Sequence, residues 1–131
     1  MFHLIKAKHI RLGKVGEAIA VKFLKQRHYD ILGMHYKSSN NSGEIDIVAR
    51  DGGILRFIEV KTRSYSRFKK NADKTPWVGL SQIKRNKHAA SDYISLLGNP
   101  KILFSFDLIE IYIGRFGVRK LEYWVGNYGR R

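Results

Sequence analysis

The sequence predicts a single α/β domain built on a mixed sheet. Three observations lead there. The chain is 131 residues long with 44% hydrophobic residues, which suits one packed core. Its hydrophobic patterns alternate between helical and extended periods in the order α-β-β-β-α-β-β. Its central hairpin pairs apolar with apolar in only one register.

The elements follow in order. Residues 8–28 read as a helix, with Val15, Ile19, Ala20, Phe23 and Leu24 on one broad stripe and Lys14, Lys22 and Lys25 away from it. Tyr29 to Lys37 reads as a strand, and the turn-rich run Ser38 to Gly43 as a loop. Strands at Glu44 to Arg50 and Ile54 to Thr62 are joined across Asp51-Gly52-Gly53, glycines suiting the positive φ of a primed hairpin turn. Residues 63–79 are basic and irregular. Ser81 to Leu97 reads as a second helix with Ile83, Ala90, Ile94 and Leu97 inward, stopped by Gly98 and Pro100. Lys101 to Ile113 is β-rich, and a last strand is expected at Leu121 to Val125, after a turn at Gly114 to Gly117. No repeat, low-complexity tract or linker interrupts this single unit.

Composition narrows the partners. There are 25 Lys and Arg against 11 Asp and Glu, a net charge of +14, so the field attracts polyanions, nucleic acid first and anionic membrane second. Cysteine is absent, which removes disulfides, thiol nucleophiles and cysteine-based zinc sites and is compatible with a reducing cytoplasm. No apolar run approaches the ~20 residues that span a bilayer, and the first eleven residues lack a signal-peptide core. The expectation is a cytoplasmic protein with no membrane partner.

The hairpin concentrates the chemistry. With a two-residue turn at Gly52-Gly53, Val48 falls opposite Phe57, Ile47 opposite Ile58, Asp46 opposite Glu59 and Glu44 opposite Lys61. Carboxylates facing each other at Cβ separations of about 4.5–5.5 Å destabilise a sheet unless they share a proton or hold a cation. Oxygen-only donors suit Mg²⁺, with Mn²⁺ as an alternative. Lys61, two residues beyond Glu59 on the same face, is placed to hold a water or to stabilise charge on phosphorus. Glu17, at the margin of the first helix's apolar stripe, is expected to act as a third acid, an outer ligand or a water positioner. Glu44 reads as a salt bridge to Lys61 or as a group orienting it. Four of the scarce acids, Glu44, Asp46, Asp51 and Glu59, thus fall in one hairpin of a basic protein.

The runs Gly43-Glu44-Ile45-Asp46-Ile47-Val48-Ala49 and Phe57-Ile58-Glu59-Val60-Lys61-Thr62-Arg63 resemble the signature of the YraN-like family of small bacterial proteins, with Gly16-Glu17, Tyr29-Asp30-Ile31-Leu32 and Phe106-Asp107-Leu108-Ile109 extending the match. That family is similar to archaeal Holliday junction resolvases of the PD-(D/E)XK nuclease superfamily. The resemblance implies a restriction-endonuclease-like fold, a mixed central β-sheet flanked by helices, and Mg²⁺-dependent DNA cleavage. It makes Asp46 and Glu59 the metal-binding acids, the carbonyl of Val60 a further ligand, Lys61 the catalytic lysine and Glu17 the helix acid. It also makes a homodimer an expectation. Gln82-Ile83 resembles the start of a glutamine motif found in some relatives, with Asn86 standing where those have tyrosine.

Bases interleaved with aromatics point to the nucleic-acid contacts. Arg63, Tyr65, Arg67, Lys69 and Lys70, with Lys74 beyond, suit phosphate contact and base stacking, and Lys84, Arg85, Lys87 and His88 on the second helix repeat the pattern. The partner expected is DNA, with RNA an open alternative. Asp107, inside an apolar strand, reads as a structural hydrogen-bonding group. The histidines at 3, 9, 28, 35 and 88 show no ligand spacing and are assigned no chemistry. The functional expectation is an endonuclease-like protein cutting phosphodiesters, at branched or damaged DNA. The alternatives are a non-catalytic nucleic-acid-binding module on the same fold and a basic ribosome- or membrane-surface protein.

Overall fold

A computed structural model describes residues 2–65, 78–99 and 101–126, with side chains from residue 11 onward. The elements are α1 (Phe2–Gln26), β1 (Asp30–Lys37), β2 (Glu44–Asp51), β3 (Ile54–Ser64), α2 (Leu80–Leu97), β4 (Leu103–Gly114) and β5 (Gly117–Trp124). The strands form one sheet in the order β1-β2-β3-β4-β5. Only β3 and β4 run parallel, in register from Ile54↔Leu103 to Ser64↔Ile113, and α2 makes the crossover between them. The other neighbours are antiparallel. This is the mixed-sheet, restriction-endonuclease-like architecture expected from the sequence.

The helices cover opposite faces, which explains why the central strands read as nearly continuous apolar runs. On one face Ala20 and Leu24 of α1 pack with Ile47, Ala49, Ile58, Ile109 and Ile111. On the other, Ala89 and Ala90 of α2 pack with Ile45, Val48, Leu55 and Phe57. The hairpin pairs as read from its pattern, from Asp51↔Ile54 to Ile47↔Ile58, with Gly52 alone of the two turn glycines in the left-handed region at φ 58°.

Several boundaries and faces differ from expectation. The first helix begins earlier and ends at Gln26 rather than 28, because His28 turns left-handed at φ 66°. Its N–H bonds to Lys25 and that of Tyr29 to Leu24, closing the helix as glycine usually does, with Leu24 and Tyr29 in apolar contact. The last strand starts at Gly117, not Leu121, since the tight turn at residues 115–116 lets Gly114 pair directly with Gly117. Val15 is half exposed and Leu97 nearly so, although both were expected inward. Pro100 and the bases Arg67, Lys69, Lys70 and Lys74 lie outside the described residues.

Two glycines set how closely the helices approach the hairpin. A Cβ on Gly16 would stand 1.9 Å from Thr62 Oγ1, and one on Gly43 would stand 2.3 Å from the Arg85 carbonyl. Gly16 brings α1, and with it Glu17, against β3. Gly43 brings the start of β2 against α2.

Candidate metal centre

The open end of the β2–β3 hairpin, away from its turn, carries the expected acids. The paired ladder stops at Ile47↔Ile58. One step further, Asp46 Oδ2 accepts the Val60 backbone N–H at 2.9 Å, so a side chain takes over where strand pairing ends. Asp46 and Glu59 remain neighbours, close enough that the Asp46 charge raises the Glu59 carboxyl. Burial and then the Asp46 charge push the Glu59 carboxyl up to about 7, against the opposing pull of Lys61 and Asn86. Burial raises Asp46 as well, despite the Val60 N–H and Lys61.

Glu59 is held through both oxygens. Lys61 Nζ lies 3.4 Å from Oε1, and Asn86 Nδ2 donates to Oε2 at 3.2 Å. Asn86, buried in α2, in turn accepts from Gln82 Nε2 at 2.9 Å. The Gln82–Asn86 pair thus does reach the site. Asn86 in place of tyrosine is what lets a short amide bridge Gln82 to Glu59.

On the other side, His35 donates from Nε2 to Glu17 Oε1 at 2.9 Å, and its Nδ1 lies 3.5 Å from Glu44 Oε1. Between the pairs Met34↔Ile47 and Tyr36↔Ile45, His35 falls opposite Asp46. A row His35–Asp46–Glu59 therefore crosses three strands, with Glu17 reaching it from α1. Burial raises the Glu17 carboxyl above its usual range, with the His35 interactions opposing. Burial disfavours the His35 imidazolium, but Glu17 and Glu44 outweigh it and raise its pKa.

Two expectations need correction here. Glu44 does not pair with Lys61: it meets His35 and, at 3.9 Å, Arg85, because the strands separate beyond Ile47↔Ile58 and Lys61 turns to Glu59. His35, assigned no chemistry, belongs to the cluster. Its partners come from α1 and β2, so no local spacing betrays it; the β1–β2 register would have. Asn86 was visible only as a departure from a motif.

The surrounding bases divide by position. Arg63 is partly committed, its Nε donating to the buried Glu110 at 2.8 Å. Tyr65 stacks under the Arg119 guanidinium at 4.7 Å. Lys84 and Arg85 are exposed on α2, one turn or less from Gln82 and Asn86. Asp107 has the structural role expected: fully buried, it accepts from Ser105 Oγ, the Tyr123 hydroxyl and the Gly126 N–H.

The donor set fits a hard divalent cation. Glu17, His35 and Asp46 each bring a donor atom within 4.8 Å of the others, and Glu59 adds a carboxylate beside Asp46 in this partly buried recess. The fold and this recess define the class: a small restriction-endonuclease-like α/β domain with an acid pair and a lysine at the end of its central hairpin. The profile of uncharacterised protein family UPF0102 matches residues 16–111, which include Glu17, His35, Asp46, Glu59 and Lys61. The chain is 39% identical to a UPF0102 protein of Chlorobaculum parvum over 111 residues, 85% of this chain and 82% of that one. It is 38% identical to one from Geotalea daltonii over 114 residues (86% and 84%), and 37% identical to one from Symbiobacterium thermophilum over 109 residues (82% and 86%). The chain belongs to the UPF0102 family, the YraN-like family that its motifs resemble. Among the described residues, no helix is long and apolar enough to cross a membrane.

Proposed function

We propose that this protein is a Mg²⁺-dependent, endonuclease-like member of the PD-(D/E)XK superfamily that binds DNA and hydrolyses phosphodiester bonds, at branched or damaged sites. The observation that carries the reading is the Asp46–Glu59 pair. In a chain of net charge +14, two neighbouring, partly buried carboxyls are kept beside a lysine, with Glu59 pushed up to about 7. Mg²⁺ or Mn²⁺, held by Asp46, Glu59 and the Val60 carbonyl, would supply charge stabilisation at the phosphoryl oxygens and acidify the attacking water. Lys61, tethered to Glu59 and a third exposed, orients that water and meets the charge developing on phosphorus. Glu17, bonded to His35, assists from α1 as the third acid. Asn86 and Gln82 keep Glu59 in one rotamer. Arg63, Tyr65, Arg67, Lys69, Lys70, Lys84 and Arg85 make the phosphate and stacking contacts. We place this activity in the cytoplasm and in a homodimer, after the resolvases the chain resembles.

A non-catalytic nucleic-acid-binding module on the same fold is the second reading. What favours it is that Glu59 is already bonded through both oxygens. Cleavage assays on linear, flapped and four-way DNA with Mg²⁺ or Mn²⁺ separate the two. Asp46→Ala and Lys61→Ala should abolish cutting while salt-dependent DNA binding survives. Cutting that persists in both purified variants, or a wild-type protein that binds but cuts nothing, would sink the catalytic reading.

A further inference from the structure

The carboxylate pair explains Asp46 and Glu59 but leaves His35 without a purpose. Its side chain is 48% exposed, so no packing demand put an imidazole there. Its backbone is left-handed at φ 51° in the middle of β1, a conformation histidine tolerates better than most residues. One donor atom from each of Glu17, His35 and Asp46 lies within 4.8 Å of the others. Octahedral ligands about 2.1 Å from an ion stand about 3 Å apart, so Glu17 Oε1 and His35 Nε2, hydrogen-bonded at 2.9 Å, can share one without moving apart. The far ring nitrogen, Nδ1, faces Glu44 Oε1 at 3.5 Å. A carboxylate steadying the free nitrogen of a histidine is the usual outer arrangement of a metal-bound imidazole.

We propose that Glu17, His35 and Asp46 form a second, imidazole-containing metal site beside the Asp46–Glu59 pair, suited to a first-row transition ion such as Mn²⁺. Three protein elements converge on it, α1, β1 and β2, and the ion takes the place of the proton that links His35 to Glu17. Nitrogen in the donor set sets its preference: an imidazole beside two carboxylates favours first-row transition ions over Mg²⁺, which takes oxygen and water, and among them Mn²⁺ is the one that also suits carboxylates. Asp46 stands between the two sites, so occupancy of one places a positive charge next to the other. The ion-binding claim stands on this geometry; only its catalytic meaning rests on the metal-dependent reading above.

The test is Mn²⁺ titration of the full chain followed by electron paramagnetic resonance, with Mg²⁺ in excess. Wild type should retain Mn²⁺ against Mg²⁺ and show hyperfine coupling to an imidazole nitrogen. His35→Asn, which keeps a residue tolerant of the left-handed backbone, should lose the coupling and bind Mn²⁺ at least about ten-fold more weakly. Glu44→Gln should keep the coupling with affinity reduced about ten-fold. Absence of nitrogen coupling in wild type overturns the site, as does unchanged Mn²⁺ binding in a folded His35→Asn variant. Mg²⁺-supported cleavage without nitrogen coupling would remove this site and leave the nuclease reading standing. Nitrogen coupling without cleavage of any substrate would do the reverse.

Discussion

Two groups of buried acids lie on neighbouring strands of one sheet, and they are built differently. On β4, Asp107 accepts from a serine, a tyrosine and a backbone N–H, with Arg56 Nε 3.9 Å away, and Glu110 accepts from Arg63 and from Trp124 Nε1 at 3.2 Å. Each of these carboxylates has its own donors, and Glu122, which pairs with Glu110 across the β4–β5 ladder, has Lys120 as its own cation. On β2 and β3, Asp46 and Glu59 face each other, and their donors are one backbone N–H, one ammonium and one amide. Burial does not separate the two glutamates, for Glu59 and Glu110 are both 5% exposed, though Asp46 is less buried than Asp107. The number of donors per charge is what separates Asp107 and Glu110 from the Asp46–Glu59 pair.

The contrast breaks most sharply at the acids themselves. Asp46→Asn should drop Mg²⁺-dependent cleavage by at least about a thousand-fold, the scale expected when a charged group acting at the transition state is lost, while Glu110→Gln should leave the metal response of the fold intact. Asp107→Ala should do the opposite. It leaves the Ser105 and Tyr123 hydroxyls and the Gly126 N–H without their common acceptor, and should destabilise the fold by roughly 3–5 kcal/mol in urea titrations.

Acidity sharpens the comparison next. Glu59 rises from 4.5 to about 7 on folding, so the native state holds a proton that the unfolded chain releases. The stabilisation is complete below pH 4.5 and is lost as pH rises through about 7, an effect of roughly 3 kcal/mol. Asp46, also raised, acts in the same direction. Metal-free protein should therefore lose stability between pH 5 and 8 in thermal melts, and Glu59→Gln should flatten that slope. Added Mg²⁺ should raise Tm at pH 8 and do little at pH 5, where Glu59 is protonated. A slope unchanged by Glu59→Gln would assign the pH response elsewhere.

The smallest effect concerns how the helix is seated. Gly16→Ala drives a methyl into Thr62 and should cost about 1–3 kcal/mol. Thr62→Ser, which removes the methyl but keeps Oγ1 where the new Cβ must go, should rescue little of that loss; Thr62→Gly should rescue more.

The hairpin was legible in the sequence because its information is local. Alternation along ten residues decides which of Ile47, Val48, Phe57 and Ile58 can face each other, and a one-residue slip would bury charge. The same alternation placed Asp46 beside Glu59 and Lys61 on the Glu59 side. Helix ends were less legible: His28 does the work of a glycine, and only its φ reveals it.

Everything that depends on separate elements meeting was decided by the tertiary structure. Glu44 leaves Lys61 for His35 because the ladder ends one residue before the acids and the Asp46 side chain takes the next backbone donor. Glu17 meets His35 because Gly16 lets α1 close onto β3, and Asn86 meets Glu59 because Gly43 lets the start of β2 press on α2. The sequence by itself determined the acid pair, the lysine and the basic charge around them, since strand periodicity and composition are properties of the chain. The partners that hold those acids were decided in space, since a hydrogen bond between residues 18 or 27 positions apart depends on how closely two layers pack.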